Sequence, residues 1–246
     1  MQEEVKKHTQ KIYKTMKNTE HTLGEKAKEI IIEIFIIVFA VTLSIWLHSW
    51  SEHKHQQEEV AVLLNNLKSD LQNDIKVMNE VKAEYEKANL GYEKILALTP
   101  LQLDSIQKSN TKVYFPVYAQ GRKLNEANYE GFKSSGKIGY IEDEKLKQKI
   151  LTYYQQWTPI IREVDKIYND FLFKCFDKMI ENADKSEEQL YADPKFKKTI
   201  EFLVRLGKNN IRVYDENVGF ANLVFGFVKN PICIGNEFVI TSLERC

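Results

Sequence analysis

The sequence predicts an all-α protein, in which one N-terminal transmembrane helix continues into the long first helix of a periplasmic helical bundle. Three observations carry this. The stretch from Ile30 to Leu47 holds a single charge, Glu33. The fifty residues after it repeat apolar side chains at alternating spacings of three and four, the mark of a helix with one packed seam. Only 10 Gly and 5 Pro in 246 residues, with 28% charged side chains, leave little turn chemistry for a β fold.

Composition narrows the partners. With 35 basic and 35 acidic residues there is no net charge to draw the chain to nucleic acid. Average hydropathy is negative, so the apolar run is local and the rest is water-soluble. Three cysteines, Cys175, Cys233 and Cys246, make no disulfide framework, and Cys175 in "FLFKCFDK" reads as a core thiol.

Residues 1–28 form a lysine-rich tail. Val5, Ile12, Met16 and Leu23 make a thin stripe that fits a helix on the inner membrane surface, a frayed tail or a short coiled coil. Residues 29–50 are the membrane helix. At about 1.5 Å per residue, Ile30 to Leu47 spans roughly 27 Å, the thickness of a bilayer's hydrocarbon core. A cleavable signal peptide is the competing reading, but the run starts late and is followed by bulky "WLHSWSEHKHQQ" instead of a small-residue cleavage site. Seven lysines precede it (Lys6, Lys7, Lys11, Lys14, Lys17, Lys26, Lys28), and after it Lys54 stands alone until Lys68. The positive-inside rule then keeps the N-terminus in the cytoplasm and sends residues 51–246 to the periplasm of a double-membrane bacterium, with Trp46 and Trp50 as anchors at the outer interface.

Ala40 and Ser44 lie seven and eleven residues beyond Glu33, which returns each to within about 20° of its face. Glu33, Ala40 and Ser44 thus define a helix-packing face. The carboxylate itself has two readings: a proton or ion relay between helices, or a first-turn acid that favours the helix dipole and snorkels to the headgroups.

Residues 51–98 form the long heptad helix, with a seam of Leu64, Leu67, Leu71, Met78, Val81 and Tyr85, interrupted by Asp74 and continued by Ala88, Tyr92 and Ile95. Its length would reach on the order of 70 Å. The seam packs on other helices, within the chain or in an oligomer. Pro100 ends the helix and opens a loop over 99–123, least helical at "TKVYFPVYAQG". The bundle occupies 124–228. Ser134, Ser135 and Gly136 stop a short helix. Glu142 and Asp143 suit the first turn of the next. A further helix runs from about Pro159 to Asn182 with Ile160, Val164, Ile167, Phe171 and Met179 on its apolar face. "DPKFKKTIEFLVRLGKNN" starts at Asp-Pro and closes on Gly207. "VGFANLVFGFV" is too short to span a membrane and reads as a buried packing segment. Residues 229–246 are a tail, a last strand or loose.

Two stretches resemble an uncharacterised family of single-pass membrane proteins from Bacteroidota. In "IEIFIIVFAVTLSIWLHSWSEHKHQQEE" the family's Glu-Ile, small residues, Trp and Glu fall on Glu33, Ile34, Ala40, Ser44, Trp50 and Glu52. In "NYEGFKSSGKIGYIEDEKLKQKILTYYQQ" its pattern falls on Tyr129, Ser134, Ser135, Gly136, Ile141, Leu146, Tyr153 and Tyr154. Ile32 stands where the family usually has Gly, and the N-terminal extension is longer. The resemblance implies fold and topology and brings no activity.

No phosphate loop or nucleophile elbow is present. His53 and His55 point about 200° apart on a helix, so they share no metal-binding face. Ser134 or Ser135 with a flanking lysine is explained by the helix stop. No catalytic residue, metal or cofactor is expected. The expected role is a membrane-anchored scaffold or accessory subunit of an envelope complex, held at the bacterial inner membrane, partnered by the lipid bilayer and by further copies or other membrane subunits. A periplasmic ligand-sensing bundle, or an ion-driven complex using Glu33, are the alternatives.

Overall fold

The structure is a computed structural model that describes residues 2–17, 23–109, 111–119 and 121–229. Among these the chain is all-α, with no strand. It divides into two compact units, Met1–Glu59 and Val60–Cys246.

The first unit holds α1 (Gln2–Lys17) and the beginning of α2 (Leu23–Ala97). The expected tail is thus helical over α1. The expected membrane helix lies inside α2, which is long and apolar enough to cross a membrane; its most apolar window reaches a mean hydropathy of 2.7. Ile31, Ile32, Ile34, Ile36 and Val41 are all exposed, and they point to every side of the helix but the one that carries Glu33.

The second unit is built on the remainder of α2, α6 (Thr158–Glu181) and α8 (Pro194–Lys229). From Val60 onward α2 buries one stripe: Val60, Leu63, Leu67, Leu71, Asp74, Met78, Val81, Tyr85, Ala88, Tyr92 and Ile95. The chain's own helices cover this seam. At its start Leu63 takes the buried place, and Leu64 is half-buried beside it.

The expected 99–123 loop is half helix. Pro100 does not merely end α2: it occupies the first turn of α3 (Pro100–Ser109). Thr99 caps it, accepting from the Gln102 amide (3.3 Å) while its own amide donates to Gln102 Oε1 (2.9 Å). Proline suits this position because a first-turn N–H has no helical partner. The 111–119 segment is neither helix nor strand and is pinned by Tyr191 Oη donating to the Val113 carbonyl (3.0 Å) and Tyr92 Oη donating to that of Pro116 (2.9 Å).

The short helix α4 (Ala127–Ser134) stops where expected. Ser134 and Ser135 hydroxyls donate to the Gly131 and Phe132 carbonyls, and Gly136 adopts φ 75°, which a side chain would resist. Asp143 then caps α5 (Glu144–Thr152) through two backbone amides. A π-turn, Tyr153–Trp157, joins α5 to α6. Pro159 has no N–H to give the carbonyl four residues back, so the ladder shifts there, and the Thr158 hydroxyl donates to the Tyr153 carbonyl (3.0 Å).

Two expectations about the long helices are overturned. The buried face of α6 is Ile161, Asp165, Tyr168, Leu172 and Cys175, one residue round from the expected stripe; Ile160 and Ile167 are exposed. The polar face turns inward because its polar atoms find partners there. Gly207 does not end its helix either: α8 runs on to Lys229 and absorbs the "VGFANLVFGFV" segment. A Cβ at Gly207 would stand 2.3 Å from Asn89 Oδ1 of α2, so this glycine serves a close helix approach. A short helix, α7 (Glu187–Ala192), completes the unit, opened by a capping box of Ser186 and Gln189. Cys175 is buried, and burial pushes its thiol up to about 11. Cys233, Cys246 and the 230–246 tail lie outside the described residues.

Gly207→Ala is expected to lower stability by about 1–3 kcal/mol through overpacking, whereas Gly219→Ala, with open space at its Cβ, should be neutral or slightly stabilising. Thermal unfolding of each variant measures this. Adding Asn89→Ala should recover part of the Gly207→Ala loss.

Candidate functional site

In the first unit Glu33 is only 5% exposed. α1 covers it: His8 Nδ1 contacts one carboxylate oxygen, and Lys11 Nζ lies 3.3 Å from the other. The carboxylate in the apolar run therefore has an imidazole and a lysine as partners within the chain, drawn from the lysine-rich extension. Ala40 is exposed and Ser44 half-exposed, so α1 covers only the Glu33 end of the expected packing face. Trp46 and Trp50 are exposed.

In the second unit the seam residues enclose two polar clusters. The first surrounds Asp74, which is fully buried on α2. Its oxygens accept from the Asn125 amide (2.9 Å) and from Tyr153 Oη in the π-turn (3.0 Å). Burial pushes the Asp74 carboxyl up to about 6, and the neighbouring Asp70 and Glu126 charges add to this. Tyr129 stacks on Tyr154 with ring centres 4.4 Å apart. Tyr154 Oη and Glu126 Oε1 are buried without a hydrogen-bond partner among the described residues.

The second cluster centres on Asp165 of α6. Tyr85 Oη from α2 donates to one oxygen (2.7 Å) and Tyr214 Oη from α8 to the other (2.8 Å). Asn210 of α8 donates to Tyr85 Oη (3.0 Å) and to the Val164 carbonyl (3.1 Å). Asp165 is thus the point at which three helices exchange hydrogen bonds. Burial raises its pKa, and the two hydroxyls offset part of that. Tyr92 and Tyr168 hydroxyls approach to 3.4 Å further along.

Of the residues singled out from sequence, Leu67, Leu71, Met78, Val81 and Tyr85 lie together in the core. The Tyr153 and Tyr154 pair is buried, and Trp157 packs on Phe220. Asp165, Tyr214 and Asn210 were not anticipated. Their signal was a polar residue at core spacing on each of two helices.

A helical chain with one membrane-length helix and a tyrosine-rich bundle is what these features define. The chain matches, over residues 33–204, the family of unknown function DUF6090, and it belongs to that family. The match begins at Glu33, so α1, with His8 and Lys11, lies outside it. No curated protein and no solved structure matches the chain.

The pH dependence of stability follows from Asp74. Its folded pKa is raised above the ordinary 3.8, so the folded chain holds a proton that the unfolded chain releases. Stability is greatest below about pH 4 on this account and falls as pH rises towards about 6, by about 3 kcal/mol. Asp74→Asn should remove that part of the slope and raise the melting temperature at pH 8. Unfolding curves of both proteins between pH 4 and 8 measure the difference.

Proposed function

We propose that this protein is a membrane-anchored scaffold or accessory subunit of a bacterial envelope complex, acting through helix-mediated protein contacts. One observation carries the reading. The same helix, α2, presents Ile31, Ile32, Ile34, Ile36 and Val41 on all sides but that of Glu33 and then supplies the seam of a folded bundle. Apolar side chains exposed all round have a favourable home in lipid, and a helix satisfies its own backbone there. The lysines before the run and their scarcity after it support a cytoplasmic N-terminus, an inner-membrane location and a periplasmic bundle. Trp46 and Trp50 would sit at the outer interface. Ala40 and Ser44 offer small side chains for a neighbouring membrane helix, from a second copy or another subunit.

Alkaline carbonate should leave the chain in the membrane, and alkaline phosphatase fused to its C-terminus should be active. After gentle detergent extraction it should be recovered with itself or other membrane proteins at a fixed ratio. Ala40→Leu with Ser44→Leu should reduce that recovery by about tenfold without releasing the chain. An inactive C-terminal reporter, or a solitary monomer in mild detergent, contradicts the proposal.

A further inference from the structure

Beside α6, where residues 121–123 pass it, lies an open cleft of about 410 Å³. That is within the size of small-molecule sites, ~300–1,000 Å³. Asp165 lines it, 5% exposed. Around it stand Arg122, Lys123, Arg162 and Lys166, with Asp170 as a second acid.

The two arginines are held in place. Arg122 binds Glu80 (2.5 Å) and Glu84 (2.6 Å), and Arg162 binds Glu126 (2.9 Å). Each guanidinium has five N–H donors, so both keep donors beyond these pairs. Asp165 differs: its hydrogen bonds come from two neutral hydroxyls, one on each oxygen, and each oxygen can accept again. Among the described residues its hydrogen-bond partners are neutral, and a buried carboxylate so placed lacks the counter-charge that would offset its desolvation; burial has raised its pKa accordingly.

These features select a ligand by charge. A simple anion would meet the rim cations but face Asp165. A simple cation would meet Asp165 but stand beside Lys123 and Lys166 as well as the two glutamate-paired arginines. We infer that the cleft binds a small zwitterion of the free α-amino-acid class, its ammonium on Asp165 and its carboxylate on the Arg122–Arg162–Lys166 rim. The ammonium supplies the missing counter-charge, and the pinned guanidinium groups present planar donors to a carboxylate. Because Tyr85 of α2 and Tyr214 of α8 donate to the same carboxylate, occupancy acts on three helices at once.

Thermal unfolding of the purified full-length chain in detergent tests this. Free L-α-amino acids are added one at a time, with the N-acetyl and amide derivatives of each in parallel. At least one free amino acid should raise the melting temperature by about 5 °C at a hundredfold excess over its Kd. Both derivatives should lose the shift, since each removes one charge. Asp165→Asn should abolish it, and Arg162→Gln, on the exposed rim, should weaken binding about tenfold. Should Asp165→Asn fail to fold, Arg162→Gln still decides. If no free amino acid shifts the transition, or if a shift survives N-acetylation or is unchanged in Arg162→Gln, the inference is overturned.

Discussion

The change of surroundings along α2 governs this structure. Up to Leu47 the helix carries apolar side chains on every face, and they stay exposed in the first unit. From Val60 it gathers most of them on one stripe, and that stripe is buried, with Val62 and Leu90 left exposed. A helix needs no partner to satisfy its backbone, so it can pass between two media unbroken. Side chains decide which medium each part accepts. The charged and histidine-rich residues between Ser51 and Glu59 separate the two regimes.

Within the bundle, α2 is fixed by polar groups as much as by apolar ones. Asp74, Tyr85 and Tyr92 stand at seam positions, and each exchanges hydrogen bonds with a distant element. Seven tyrosines are fully buried: Tyr85, Tyr92, Tyr129, Tyr153, Tyr168, Tyr191 and Tyr214. Apolar side chains tolerate sliding, but buried hydroxyls and carboxylates do not, because an unpaired one costs about 1–3 kcal/mol. A shift of α2 by one heptad would preserve much of its apolar pattern and break every one of these bonds. The polar seam therefore sets the register. The raised pKa values of Asp74 and Asp165 follow from the burial of both carboxylates, which their hydrogen-bond donors only partly offset.

The long apolar helix, the heptad seam and the Ser134–Ser135–Gly136 stop were legible in the sequence because each is a local pattern. α3 and α7 were equally local: the Thr99–Gln102 and Ser186–Gln189 pairs are capping signals that passed unread beside the louder Pro100 and the charged "DKSEEQ" run. The buried face of α6 was not legible by hydrophobicity. Asp165 and Tyr168 look solvent-facing until Tyr85, Tyr214 and Tyr92, on other helices, are seen to meet them. Gly207 misled for a similar reason. In sequence it reads as a helix end, yet its role is to admit Asn89, which no local pattern reveals. Glu33 showed that it needed a partner but not which one. His8 and Lys11 became candidates only when α1 was folded against α2.

The most direct test of the two-regime helix is cysteine-accessibility scanning along α2 in intact membranes, from residue 31 to residue 95, after replacement of the three native cysteines. A membrane-impermeant maleimide should fail to label any position from 31 to 47, should label 52 to 56, and beyond residue 60 should label with minima at the seam positions Leu67, Leu71, Met78, Val81 and Tyr85. Labelling that rises and falls every three or four residues within 31–47 would instead mark a water-facing amphipathic helix and contradict the account.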